Sequence, residues 1–474
     1  MNRTSFAIAS LMAACAYAGD TAEWKQRSVY QVLTDRFSRD YQGGNACNNL
    51  SSYCGGTFKG IENNLDYIEG MGFDAIWISP IVANMEPGYH GYWATNWEEV
   101  NWHFGTEQDL TNLVNAAHAR NIWVMVDVVA NHVAPIGSDY SQIYPLNHAD
   151  HYHSNCQITD WDNQGNVEYC RLADLPDLNQ DNDYVRGYLK DWVRGIVQKY
   201  NFDGIRIDTI PEVSKDFWSE YGQAAGVFQM GECFNGDPAY VGPYQGHVTA
   251  LFNYPMYYTI GDVFGSGQSM KKIDNRYSAE GSHFSDIDAL GLFVDNHDNA
   301  RFLHNHPGNN RGLTAATVFS LTGRGIPFVY YGTEQYYGGG NDPANRESLW
   351  QHMYTNTDLY SKIAAVNAQR KKSQIWNHDQ VQRYVDDSFY AFSRGEFLVA
   401  LTNSANDQQR QVTYSPFAEG TRVCNIFWPT TDCQTVSNGV NVYLANGEPK
   451  VYVPDYNLAL YVNEAGELAE SFLQ

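Results

Sequence analysis

Apolar residues in this chain recur with two periods, and the exchange between them predicts the architecture. Ser28–Asp35 (SVYQVLTD) reads as a first strand running into a polar loop. A Gly-rich, Cys-bounded loop follows from Tyr41 to Gly60. Asn63–Gly72 has helical spacing, with Leu65 and Ile68 apolar and glycines near its end. Asp74–Ser79 is a second strand, stopped by Pro80. Thr106–Arg120 carries Leu110, Leu113, Val114 and Ala117 at helical spacing and leads into a third strand, Ile122–Val129. This β-α-β-α order predicts a parallel sheet.

The rhythm then breaks. A long stretch rich in His, Asn, Asp and Tyr comes before the next helix, Asp183–Tyr200, and the fourth strand, Gly204–Asp208. It is too long and irregular for a simple crossover, so it reads as an insertion. Later strands are Phe228–Glu232, a sixth near Thr249–Phe252, Leu292–Asp298 and Ile326–Tyr331. From about Asp379 the texture changes to short alternating segments, Ser388–Ser393, Phe397–Thr402, Gln411–Tyr414 and Val451–Val453, separated by Gly, Asn and Asp. That predicts antiparallel strands. No repeat, low-complexity tract or linker to a further module is read after them.

The fourth strand carries the chemistry. Ile205 and Ile207 share one face; Arg206 and Asp208 share the other. Inside a parallel barrel both faces are packed, so a charged pair at the strand's C-terminal end needs a partner or a task. Val124–His132, Phe228–Glu232 and Leu292–Asp298 are likewise apolar runs ending in a carboxylate, a His or both. Taken singly, an Asp at a strand end is ordinarily a helix N-cap, and a lone His is ordinarily structural.

Four stretches in order, DVVANH (Asp127–His132), GIRIDT (Gly204–Thr209), GE (Gly231–Glu232) and FVDNHD (Phe293–Asp298), resemble the sequence regions of the α-amylase family of glycoside hydrolases. LPDL (Leu175–Leu178) resembles that family's additional short motif. The resemblance runs from about Trp24 to the C-terminus and is nearest to secreted fungal-type α-amylases. It implies an α/β chain with a (β/α)8 TIM barrel, an inserted subdomain after strand 3 and a C-terminal antiparallel all-β domain. The implied division is barrel 19–132 and 184–378, inserted calcium-binding subdomain 133–183, and β-sandwich 379–474.

The resemblance implies Asp208 as nucleophile, Glu232 as general acid/base and Asp298 as transition-state stabiliser. Two carboxyl groups flanking the anomeric carbon are what retention requires. Apolar walls and nearby negative charge are expected to raise the Glu232 pKa, and Arg206 is expected to keep Asp208 ionised. His132 and His297 are implied to grip sugar hydroxyls, with Tyr92 and Trp93 as aromatic contacts. Asp342 and Arg346 are implied to hold the sugar on the non-reducing side, and the backbone at Gly236 to approach substrate. The implied Ca²⁺ site takes side chains from Asn131 and Asp177 and backbone carbonyls from Glu168 and Glu212, an all-oxygen set suited to that ion.

The chain departs from the family pattern in places. Pro211-Glu212 stands where Lys-His is usual, which bears on the leaving-group side. Ser52 replaces a substrate-binding Gln, and Asp295 replaces a Glu outside the catalytic trio.

Composition narrows the setting. The formal net charge is −24, which argues against nucleic acid or an anionic membrane as partner. Residues 1–18 carry one Arg, an apolar run and Ala16-Tyr17-Ala18, the pattern of a secretory signal peptide. Six Cys then fall into close pairs, Cys47–Cys54, Cys156–Cys170 and Cys424–Cys433, as expected for disulfides in an oxidising compartment. Cys233 is left over and reads as a buried thiol; neither a cysteine-hydrolase signature nor CxxC zinc spacing accompanies it. Asn49-Leu50-Ser51 is a glycosylation sequon. The expected function is a secreted, monomeric endo-acting α-amylase working on starch, glycogen-type α-glucans and maltooligosaccharides. An exo-acting maltogenic enzyme, α-glucosidase or transglycosylase is the alternative. A catalytically dead binding scaffold predicts that one of the three carboxylates is missing, and all three are present.

Overall fold

The computed structural model describes residues 19–41 and 43–459. The stretch read as a signal peptide and the last residues of the C-terminal region lie outside these. Eight strands run parallel: β1 Val29–Gln31, β2 Ala75–Ile78, β3 Trp123–Val128, β4 Gly204–Ile207, β5 Phe228–Gly231, β6 Ala250–Leu251, β7 Gly291–Leu292 and β8 Ile326–Tyr330. Each pairs with its chain neighbour except β6 and β7, and β1 also pairs with β8. A single parallel bridge, Phe252 to Gly291, joins the two free edges and closes the barrel. The predicted (β/α)8 barrel is therefore present.

The alternation read in β4 has its physical reason here. Ile205 and Ile207 belong to the large core under the helices, as do Val124, Val126 and Val128 of β3. The opposite parity points inward. Val29, Ala75, Trp77, Met125, Phe228, Met230, Ala250 and Phe328 fill the barrel's interior. Its floor is Trp24, whose indole stacks on Phe228 at 4.9 Å and donates to the Asp203 carbonyl.

Several elements differ from the sequence reading. β1 ends at Gln31, because Thr34–Phe37 turns into a short helix with Thr34 N–H donating to Ser79 Oγ. The helix read over Asn63–Gly72 is two helices, Phe58–Asn63 and Leu65–Gly70, broken at Asn64. β7 covers only Gly291–Leu292, and Phe293–Asp298 continues as loop. Residues 133–182 hold short turns and one helix, Gln164–Tyr169, tied by Cys156–Cys170. The other two expected disulfides are also present, and Cys233 is free and buried.

Beyond the barrel lie a six-stranded antiparallel sheet and a two-stranded one. The segment read as Gln411–Tyr414 begins earlier, as Gln408–Val412, since it pairs with Val440–Leu444. Phe389 and Ala391 face the two-stranded sheet, while Tyr390 and Phe392 join the barrel's core. Both faces of that strand are buried, so Phe389–Phe392 is a continuous apolar run and not the alternating segment read from the sequence.

Candidate active site

Ladder hydrogen bonds carry β4 and β5 past their last strand residues. Asp208 N–H donates to the Val128 carbonyl and Glu232 N–H to the Ile207 carbonyl. Both carboxylates are thereby fixed at the barrel's C-terminal rim. Register sets Asp127 of β3 beside Arg206 of β4. Arg206 is buried, and its Nη1 lies 2.7 Å from Asp208 Oδ1 and 3.1 Å from each Asp127 oxygen. Its Nη2 lies 2.9 Å from Glu232 Oε2 and 4.0 Å from Asp298 Oδ2. One guanidinium thus faces four carboxyl groups.

That imbalance decides the electrostatics. Burial pushes the Asp208 carboxyl well above the usual range; Glu232, Asp127 and Asp298 add to this and Arg206 opposes it. Burial likewise pushes Asp127 up to about 6. Like charges this close cannot all ionise, so protons are held by the cluster as a unit. Thr209, whose φ of 50° puts a β-branched residue in the left-handed region, turns its N–H to Glu232 Oε2 at 3.1 Å. Among the described residues, Glu232 Oε1 has no protein hydrogen bond.

The expected aromatic and imidazole groups line the same space. Tyr92 stacks on His297 at 5.5 Å, and its hydroxyl lies 2.7 Å from both Asp127 Oδ2 and His297 Nε2. Gln31 Nε2 lies 2.7 Å from His297 Nδ1. If Gln31 donates there, His297 carries its proton on Nε2 and passes a hydrogen bond to Tyr92. Burial pulls the His297 pKa well below normal, so the ring is neutral. His132 is also neutral, pulled down to about 4 by burial. Its Nε2 is buried without a partner, 4.0 Å from Asp208 Oδ2, and is free to meet a ligand hydroxyl.

Arg346 connects two predicted residues. Nη1 lies 3.0 Å from Asp342 Oδ1, and Nη2 lies 3.5 Å from Asp298 Oδ1. Trp93 is half-buried, its N–H held by Asn84 Oδ1. Gly236 is half-exposed, and a Cβ there would lie 2.9 Å from the Tyr258 ring. The substituted Asp295 is structural: it accepts from Phe302 N–H and Thr333 Oγ1.

Sequence reading assigned no role to Asp127, Gln31 or Tyr89. Asp127 opens a quoted motif and interrupts an apolar strand, a usable signal. Gln31 and Tyr89 act through contacts across the barrel mouth, which no local pattern records. Tyr89 donates to Asp342 Oδ1 and accepts from Arg346 Nη1, both at 3.2 Å.

The expected metal ligands partly converge. The Asn131 amide lies 2.9 Å from Asp177 Oδ1 and 3.2 Å from the Glu212 carbonyl oxygen. With its nitrogen towards them it donates to both. With its oxygen towards them, three oxygens meet with no proton between, an arrangement a hard cation relieves. Glu168 sits on the helix Gln164–Tyr169, whose Gln164 Nε2 donates to both Glu168 Oε1 and the Pro211 carbonyl. That helix is thus held on the turn containing Glu212. Among the described residues no cage of three or more His, Cys, Asp or Glu side chains exists. The donors here are an amide, one carboxylate and carbonyls, and they fit Ca²⁺.

Residues 31–415 match the family model for the α-amylase catalytic domain. The chain is 36% identical to α-amylase 2 of Schwanniomyces occidentalis, over 96% of both chains. It is 43% identical to a β/α-amylase of Paenibacillus polymyxa, spanning 38% of that protein's length. Among solved structures, an α-amylase from Malbranchea cinnamomea superposes with a TM-score of 0.89 at 37% identity, covering 93% of this chain and 99% of that one.

Proposed function

The chain belongs to the α-amylase family, and we propose that it cleaves internal α-1,4-glucosidic bonds of starch, glycogen-type glucans and maltooligosaccharides with retention. The observation that carries this reading is the shared grip of Arg206 on Asp208 and Glu232. Two carboxyls bonded to the two amino groups of one guanidinium stand close together. That supports a nucleophile beside an acid/base, since inversion needs a wider gap holding a water.

Asp208 attacks the anomeric carbon, with Oδ1 steadied by Arg206 and Oδ2 facing the sugar. Glu232, with Oε2 occupied by Arg206 and Thr209, presents Oε1 to protonate the leaving oxygen and later to activate water. Asp298, its side chain 28% exposed, faces the cleft and stabilises the oxocarbenium-like transition state. His132 Nε2 and the Tyr92–His297 pair take the hydroxyls and face of that sugar. Asp342 and Arg346 take its non-reducing neighbour, and Gly236 lines the opposite side. Asn131, Asp177, Glu168 and Glu212 would hold Ca²⁺, which would tie residues 133–183 to the barrel.

The leaving-group side differs from the usual pattern. The Pro211 carbonyl is engaged by Gln164, and Glu212 is buried, so neither offers a sugar the cationic grip of Lys-His. The domain division given above, secretion and a monomeric state belong to the same reading. Three disulfides fit an exported protein. The net charge of −24 speaks against nucleic acid, and no helix among the described residues is long and apolar enough to cross a membrane.

Product analysis on soluble starch and a blocked maltooligosaccharide tests this. A rapid fall in iodine staining with mixed oligosaccharides is expected. Glu232→Gln should lower turnover by roughly 10²–10⁴-fold. A single small product would favour the exo-acting or transferring alternative. No turnover by the calcium-loaded protein would leave only a binding scaffold.

A further inference from the structure

Trp102 is 73% exposed, the largest fraction among the exposed large hydrophobic residues described. It is not loosely held. Its ring stacks on His103 with centroids 3.6 Å apart and planes at 28°. His103 stacks in turn on Tyr53 at 3.6 Å and 13°. Hydrogen bonds lock the two inner layers. Asn101 Nδ2 donates to the Tyr53 hydroxyl at 2.9 Å, that hydroxyl donates to the Gly88 carbonyl, and His103 Nε2 pairs with Glu86. The outer face of the indole is thus a rigid apolar plane presented to solvent.

The same loop leads to the cleft. Glu86 and Gly88 anchor the ring stack, and the adjacent Tyr89 hydroxyl bonds Asp342 and Arg346. Tyr92, at the loop's far end, bonds Asp127 and His297. The stack is therefore anchored on the loop whose next residue, Tyr89, holds Asp342 and Arg346.

We propose that Trp102 is the stacking platform of a distal subsite for an α-glucan chain, beyond the sugar held by Asp342 and Arg346. The inference rests on the reading of the cleft given above. A flat aromatic face binds the apolar C–H face of a pyranose, and a pre-stacked ring loses little freedom on doing so. The occupant is a chain already threaded through the cleft, because the platform shares its supporting loop with the residues that line the cleft.

The test is calorimetry in a Glu232→Gln background, comparing maltotriose with maltoheptaose. Adding Trp102→Ala should reduce the preference for the longer sugar by about three- to tenfold, the range of one aromatic contact. Trp102→Tyr should restore most of that preference. In the active protein, Trp102→Ala should likewise compress the rise of kcat/KM with chain length and shift the cleavage positions of a long blocked substrate. An equal effect on both sugars, or none on either, would overturn the proposal. So would weaker adsorption to granular starch with maltoheptaose binding in solution unaltered, because that would mark a separate surface site. No maltoheptaose binding with Trp102 intact would overturn the functional reading itself, and the platform with it.

Discussion

Arg206 is where the chemistry of the site is concentrated, because its guanidinium reaches Asp127, Asp208, Glu232 and Asp298 together. Its planar fork meets these carboxylates from two fixed nitrogens; a lysine ammonium is a compact point charge without that geometry. Replacing it leaves buried carboxylates facing one another. Arg206→Met, close to it in volume, should cost about 3–5 kcal/mol of stability, as breaking buried ion pairs does. Denaturant unfolding reads this directly, and a loss below about 1 kcal/mol would mean that the carboxyls simply take up protons. Asp208, Glu232 and Asp298 were legible in the sequence because each ends an apolar run inside a motif, and Arg206 because it interrupts one. Gln31 was not, since its only signal is a contact with His297, 266 positions away.

Elements were legible where one face is uniformly apolar. β3 and β4 emerged close to their true bounds because their outward valines and isoleucines share the helix-covered core. β1 and β7 were overread. Apolar alternation continues past the last ladder bond, but nothing in a local pattern says where the neighbouring strand turns away. Gly231 shows how tightly one element fixes the site. A Cβ there would lie 2.8 Å from Ile210 Cγ1 and 3.1 Å from Leu251 Cδ2. Gly231→Ala should therefore push β5 away from β4 and move Glu232, the next residue. Overpacking of this kind costs about 1–3 kcal/mol. A clear fall in kcat with little change in KM is expected. Unaltered kinetics would show that the rim tolerates the shift.

At the scale of the whole molecule, the inserted residues join the main core through Val133, Ile143, Leu146, Tyr152 and Leu178, and carry covalent and polar ties besides. Cys156–Cys170 closes the segment internally, and the bridge between His132 and Asp177 joins it to the barrel. The loop of 14 residues is short, so removing that disulfide should cost about 3 kcal/mol. The tie to the barrel depends on pH instead. Burial pushes Asp177 up to about 7 and Glu212 up to about 8. Both titrate near about 4 in the unfolded chain. The metal-free fold therefore binds more protons than the unfolded chain between those values. The contribution of these two carboxyls to stability is greatest at low pH and is lost as pH rises through about 7 to about 8. Calcium held at Asp177 would compete with the proton there, so it would bind better as pH rises. Thermal unfolding with calcium and with chelator should show a difference in Tm that widens from about pH 5 to about pH 8. A difference independent of pH would place the ion away from these carboxyls. No difference at any pH would remove the calcium site altogether. The proposed cleavage and metal sites would draw on one segment, since Asn131 faces Asp177 and the adjacent His132 faces Asp208. Chelation should thus lower turnover of short substrates at neutral pH before the protein unfolds.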